Sequence, residues 1–190
     1  MPVASPLRLA PIVVAVLAPV LAVAAPVPIV NADFESTKAG ASGLDGWSTY
    51  QHTGPESYDF ALDSGEKKDG TQSLRIANIG PEPFGALKQT ISAAGLTGKK
   101  LKLSAWVKTS AIPDAGKRGG AALTLTALRG SAVVATETMR KRELRGTTDW
   151  TRHSIELSIP PNAVTIDFGA TLLGPGKMWV DGFALETVEP

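Results

Sequence analysis

Leu101-Lys102-Leu103-Ser104-Ala105-Trp106-Val107-Lys108 sets small and aliphatic side chains on one parity and Lys102, Ser104, Trp106 and Lys108 on the other. In a strand successive side chains point to opposite faces, so this period of two reads as a half-buried β-strand. The same period recurs where Leu123, Leu125 and Ala127 alternate with Thr124 and Thr126, and where Ile155, Leu157 and Ile159 alternate with Ser154, Glu156 and Ser158. It returns in Val164, Ile166, Phe168, Ala170 and Leu172, set against Thr165, Asp167, Gly169 and Thr171. Shorter candidates lie at 57–62, 73–77, 85–91 and 132–139, with turn signals between them at Asp69-Gly70, Gly80-Pro81, Gly119-Gly120, Pro160-Pro161 and Gly174-Pro175-Gly176. About ten strands at this spacing, with no convincing helix, predict an all-β antiparallel sandwich.

The first residues read differently. Arg8 is the sole charge before Asp33, and the apolar run after it is interrupted by Pro11, Pro19, Pro26 and Pro28. A spanning helix wants about 20 apolar residues and tolerates proline poorly. A secretory signal over residues 1–24, cut after Ala22-Val23-Ala24, fits the pattern. The expected product is a single sandwich domain over 25–190, secreted or periplasmic, with no membrane span after cleavage.

Removing residues 1–24 from 190 leaves 166, and of the 19 basic residues it takes only Arg8, so 18 basic residues face 18 acidic ones. A neutral domain lacks the clustered Lys and Arg that draw nucleic acid or anionic membrane, and nucleic-acid binding is not expected. The chain has no cysteine. Stability therefore rests on the core, which at this length takes roughly 70% of the unfolded surface out of water, or on a metal.

Beyond periodicity, a run of motifs carries a resemblance. Asn31-Ala32-Asp33-Phe34-Glu35, Gly46-Trp47, Asp69-Gly70 with Ser73-Leu74, Leu103 to Lys108, Thr148-Asp149-Trp150 and the closing Trp179-Val180-Asp181 occur in this order. Together they resemble bacterial galactose-binding-like jelly rolls, a group that includes many carbohydrate-binding modules, and the resemblance spans nearly all of 27–188. It implies a jelly-roll sandwich that brings the two chain ends together. It also implies a structural calcium ion at Glu35 and Asp181, which would need further oxygens from carbonyls or water to reach the usual six to eight. The chain departs from the pattern at Ala32, where glycine is usual, and at Gly182, where a second aspartate is frequent. Without the ion, the same two carboxylates would accept hydrogen bonds from turn amides or pair with basic side chains.

Four aromatics are candidate ligand contacts: Trp106, Trp47, Tyr50 and Tyr58. Parity sets Trp106 opposite the aliphatic face, beside Lys102, Ser104 and Lys108, where an indole can stack on the C–H face of a sugar or lie under a loop. Thr124, Thr126 and Asp167 would extend that surface. Trp47, Tyr50 and Tyr58, in a turn-rich stretch with His52, resemble a loop rim around a sugar site; edge packing is the other reading. Trp179 shares parity with Phe183 and Leu185, and Trp150 begins a strand, so both are expected in the core.

Catalytic patterns are scarce. There are two histidines, His52 and His153, and neither a nucleophile elbow nor a zinc helix appears. Glu56, Asp59, Asp63 and Glu66 are close in sequence and read as a solvated loop face, with glycoside hydrolysis as the rarer use of paired carboxylates. Arg140, Lys141, Arg142 and Arg145 around Glu143 read as an exposed hairpin. The leading expectation is a non-catalytic module binding glycan through a sheet face or loop rim. A structural or protein-interaction jelly roll is the alternative, and a small glycosidase or lyase a lesser one.

Overall fold

A computed structural model describes Met1 and residues 24–37, 44–52, 54–114 and 119–188. The expected signal segment, residues 1–24, lies outside the described residues but for its two ends. The described chain is all β, in eleven strands: β1 (Ala25–Val27), β2 (Ser48–Gln51), β3 (Tyr58–Asp63), β4 (Ser73–Asn78), β5 (Phe84–Ser92), β6 (Lys100–Ile112), β7 (Gly120–Arg129), β8 (Ala132–Glu137), β9 (Gly146–Ser158), β10 (Thr165–Leu173) and β11 (Lys177–Val188). They form two antiparallel sheets, one ordered β3-β4-β11-β6-β9 with β1 added along β11, the other β2-β5-β10-β7-β8. This is the antiparallel sandwich anticipated from the alternation, in the jelly-roll form that the resemblance implied.

Period two places the core. Leu101, Leu103, Ala105 and Val107 of β6 are fully buried, as are Leu123, Leu125 and Ala127 of β7 and Ile166, Ala170 and Leu172 of β10. These inward faces form one apolar cluster between the sheets. Burial of such side chains, at about 25 cal/mol per Å² of apolar surface, is the main force holding the layers together. The chain ends meet as expected: Ala25 to Val27 pair with Thr187 to Leu185, and the Phe183 amide donates to the Ala32 carbonyl at 2.9 Å.

One break in the alternation changes the reading of two tryptophans. The register of β11 against β6 shifts between Asp181 and Ala184 at a β-bulge, where Gly182 adopts φ of +55°, a left-handed conformation that suits glycine. The bulge reverses the parity that Trp179 was expected to share with Phe183. Trp179 instead stands opposite Lys108 and Arg75 on the outer face, while its neighbour Val180 faces Val107 and Leu74 in the core. Its indole is buried nonetheless, and Nε1 donates to Asp63 Oδ2 at 2.9 Å. Trp150 is half-buried on β9 and does not belong to the core cluster either.

Candidate ligand-binding site

Residues 64–72, joining β3 to β4, meet the outer face of the larger sheet through two carboxylates. Asp181 Oδ2 accepts from the amides of Lys68 (3.0 Å) and Asp69 (3.2 Å). Glu35 Oε1 accepts from the amides of Thr71 (2.8 Å) and Gln72 (3.1 Å), and the Thr71 hydroxyl donates to Oε2. The Thr71 hydroxyl and then its amide lower the Glu35 pKa below the ordinary carboxylate value, whereas burial pushes that of Asp181 up despite its amide partners. Calcium was expected at this pair, but the donor chemistry does not favour it: amide N–H groups, which repel a cation, face carboxylate oxygens that an ion would need. Among the described residues no group of three or more acidic or histidine side chains could hold a metal. The arrangement is a hydrogen-bonded clamp on a loop.

That loop also reaches Trp106. Lys68 Nζ lies 4.4 Å from the indole centroid and the Arg152 guanidinium 5.9 Å, so cations already occupy the surroundings of the expected sugar platform. The indole is half-buried. Thr124, Thr126 and Asp167 were expected on the same surface, but they belong to β7 and β10 of the other sheet, across the sandwich from Trp106.

Two further expected contacts are core residues. Trp47, 6% exposed, packs against Phe183, Phe34 and Phe168 at centroid distances of 4.8, 5.5 and 5.8 Å, and its Nε1 donates to the Asn31 carbonyl at 3.0 Å. Tyr58, 2% exposed, accepts from the Gly174 amide at 3.2 Å, and burial raises its pKa. Neither ring is open to stack on a ligand. Satisfying the indole N–H and the phenol oxygen inside the protein is what allows such amphipathic rings to be buried.

Tyr50 has a different fate. It is 50% exposed on β2 and sits edge-on, with centroids 6.0 Å apart, to Phe84 of β5 and to His52. His52 stacks on Phe84 at 4.6 Å, and its Nδ1 is 3.0 Å from Glu82 Oε1. Tyr50 and Phe84 edge a groove of about 590 Å³ on the outer face of the five-stranded sheet. Its floor is made of small side chains, Ala86, Ala122 and Thr171, that share a row of the ladder. In the next row Gly169 stands between Thr124 and Lys88, where any Cβ would run into the Leu87 carbonyl. Polar groups occupy the far end: Lys88 Nζ donates to Asp167 Oδ2 at 2.9 Å, the Thr90 hydroxyl to Oδ1 at 2.6 Å, and Thr126 bonds Thr136 at 2.8 Å. Arg140 and Glu143, from the connection between β8 and β9, line the groove opposite Tyr50's strand.

Sequence reasoning singled out Tyr50 but missed Phe84, Lys88, Arg140 and Glu143. The signal for Phe84 and Lys88 was available, because they share parity with Ala86 in a strand whose other parity carries Leu87 and Ile91. Arg140 and Glu143 were read as hairpin charge, since nothing local says which sheet that connection borders.

No family model matches this chain. It is 28% identical over 152 residues to an uncharacterised HTH-type transcriptional regulator, YbfP, of Bacillus subtilis (strain 168); the match takes in 77% of this chain, which spans about half (49%) of the length of that curated relative. Among solved structures it is similar to the Stig cyclase Fisc from Fischerella sp. TAU, with a TM-score of 0.62 and 14% identity over 88% of this chain and 100% of that one. The CBM22-1 xylan-binding domain of Paenibacillus barcinonensis Xyn10C gives a TM-score of 0.51 and 13% identity over 83% and 92%. At such identities the likeness defines the fold alone. That fold is an antiparallel jelly-roll sandwich, one that a carbohydrate-binding module also adopts.

Proposed function

We propose that this chain is a non-catalytic binding module that takes a carbohydrate in the groove of the five-stranded sheet. The observation that carries the reading is the groove's composition. An aromatic edge of Tyr50 and Phe84 suits the C–H face of a sugar ring, a floor of small residues leaves room for it, and Thr124, Thr126 and the Lys88–Asp167 pair suit its hydroxyls. The likeness to a xylan-binding domain supports this at the level of fold. Cyclase and arabinofuranosidase chains share the fold as well, so the non-catalytic part of the proposal rests on the groove's own carboxylates. Asp167 is tied to Lys88 and Thr90, which among the described residues leaves Glu143 without a free partner carboxylate in the groove for the paired chemistry of glycoside cleavage. The apolar segment over residues 1–24 supports export to the periplasm or medium.

A glycan array on the chain lacking residues 1–24, with Tyr50→Ala and Phe84→Ala beside it, tests the proposal. Binding of a glycan that both variants lose is the expected result. The likeness to a transcriptional regulator supports a second reading, a protein-interaction module within a larger assembly. A silent array would favour that reading and reject the first.

A further inference from the structure

We propose that the outer face of the larger sheet carries a second site, beside Trp106, that binds an oxyanion such as a sulfate or phosphate group. The site lies across the sandwich from the groove and does not depend on how the groove is used. Its first element is a pair of cations at one indole. Lys68 Nζ and the Arg152 guanidinium lie 4.4 and 5.9 Å from the Trp106 centroid, hence no more than about 10 Å from each other, which is about one Debye length at 0.1 M salt. Salt screens much of the repulsion between them at that spacing, and the ring face stabilises each cation.

The second element is the state of those cations. Arg152 Nη2 donates to Ser104 Oγ at 2.8 Å, and Ser104 is buried, so a neutral acceptor fixes the guanidinium. A guanidinium carries five N–H donors. Among the described residues no carboxylate pairs with it, and none pairs with Lys68. Three acidic groups on this face have other partners: Glu186 is 3.2 Å from Lys102, Glu156 3.7 Å from Lys100, and Asp181 holds the loop amides.

The third element is room. A hollow of about 270 Å³ adjoins the guanidinium, lined by Lys102, Ser104, Arg152, His153, Ser154 and Glu186, the last with its carboxylate 3.2 Å from the Lys102 ammonium. It is large enough for a tetrahedral oxyanion and offers hydroxyl donors beside the charges. Arg is suited to such a group because its planar fork matches two oxygens at once. The anion would give Arg152 a counter-charge, with the Lys68 ammonium no more than about 10 Å away adding a longer-range attraction.

Calorimetric titration of the chain lacking residues 1–24 with inorganic sulfate, inorganic phosphate and a sulfated monosaccharide, at ionic strength held constant with chloride, tests the site. Saturable binding of the inorganic anions is expected, weakened at least about tenfold by Arg152→Gln and to a smaller degree by Lys68→Gln. Equal affinity for free sulfate and the sulfated sugar identifies a site for the free anion. Tighter binding of the sugar that Arg152→Gln weakens and Tyr50→Ala does not abolish identifies an ester carried on a saccharide. Both support the site, provided that far-ultraviolet circular dichroism shows the variants folded. No saturable binding of any probe, binding unchanged in both cation variants, or binding lost only in Tyr50→Ala overturns it.

Discussion

Glu35 and Asp181 grip one loop on either side of Gly70, Asp181 through the amides of Lys68 and Asp69 and Glu35 through those of Thr71 and Gln72. Residues from the two ends of the chain thus anchor the segment that covers the outer face beside Trp106. The same loop supplies the cation above that indole.

The two carboxylates respond to acid with opposite signs. The folded-state pKa of Glu35 is lowered, so its contribution to stability is present above its unfolded value of 4.5 and is lost as pH falls through the lower folded value. That of Asp181 is raised above 3.8, so its ionised form is held at a cost, and stability from this group falls as pH rises through the raised value. Denaturant melts between neutral pH and pH about 3 should show Glu35→Gln flattening the acid loss. Asp181→Asn, which keeps an acceptor without the buried charge, should steepen it while remaining folded at neutral pH. An unchanged pH profile in Glu35→Gln would show that the clamp contributes nothing measurable.

Because amides already face both carboxylates, melting temperatures in chelator and in added calcium are expected to coincide. A native-state ion at 100 times its dissociation constant would add about 2.7 kcal/mol. A rise of that order would mean that carbonyls and water complete a calcium site which the side chains alone do not make.

Trp106→Ala should cost about 2 kcal/mol in urea melts, less than the 3–5 kcal/mol of a fully buried tryptophan, since the ring is only half-covered although two cation contacts are lost with it. Tyr50→Ala, on an exposed ring, should change stability by less than about 1 kcal/mol. The opposite order of the two costs would assign the covered and open surfaces the wrong way round.

Tyr58→Phe should lose less than about 1 kcal/mol, because the Gly174 amide gives up its 3.2 Å bond to the phenol but keeps the 2.9 Å bond to the Pro83 carbonyl. Gly85→Ala should cost about 1–3 kcal/mol by driving a methyl group into the Tyr58 ring. Thermal melts check both. Gly85→Ala at wild-type stability would mean that the ring has space to move.

Alternation along the chain was enough to establish an all-β sandwich and its inward set, from Leu101 to Val107 on β6 and from Ile166 to Leu172 on β10, because the two-residue period is a local property of an extended backbone. The terminal acidic residues were legible as a pair for a related reason, since closing a sandwich brings its first and last strands together. Tertiary structure decided what lay beyond local pattern. A bulge at Gly182 reversed the parity that had assigned Trp179 to the core, and long-range pairing put Trp106 on one sheet and Thr124 and Asp167 on the other. Parity says only that a side chain leaves the core face. Whether it then meets solvent, as Tyr50 does, or a neighbouring loop, as Trp106 does, depends on contacts between segments far apart in the chain, and those form only when the sheets pack.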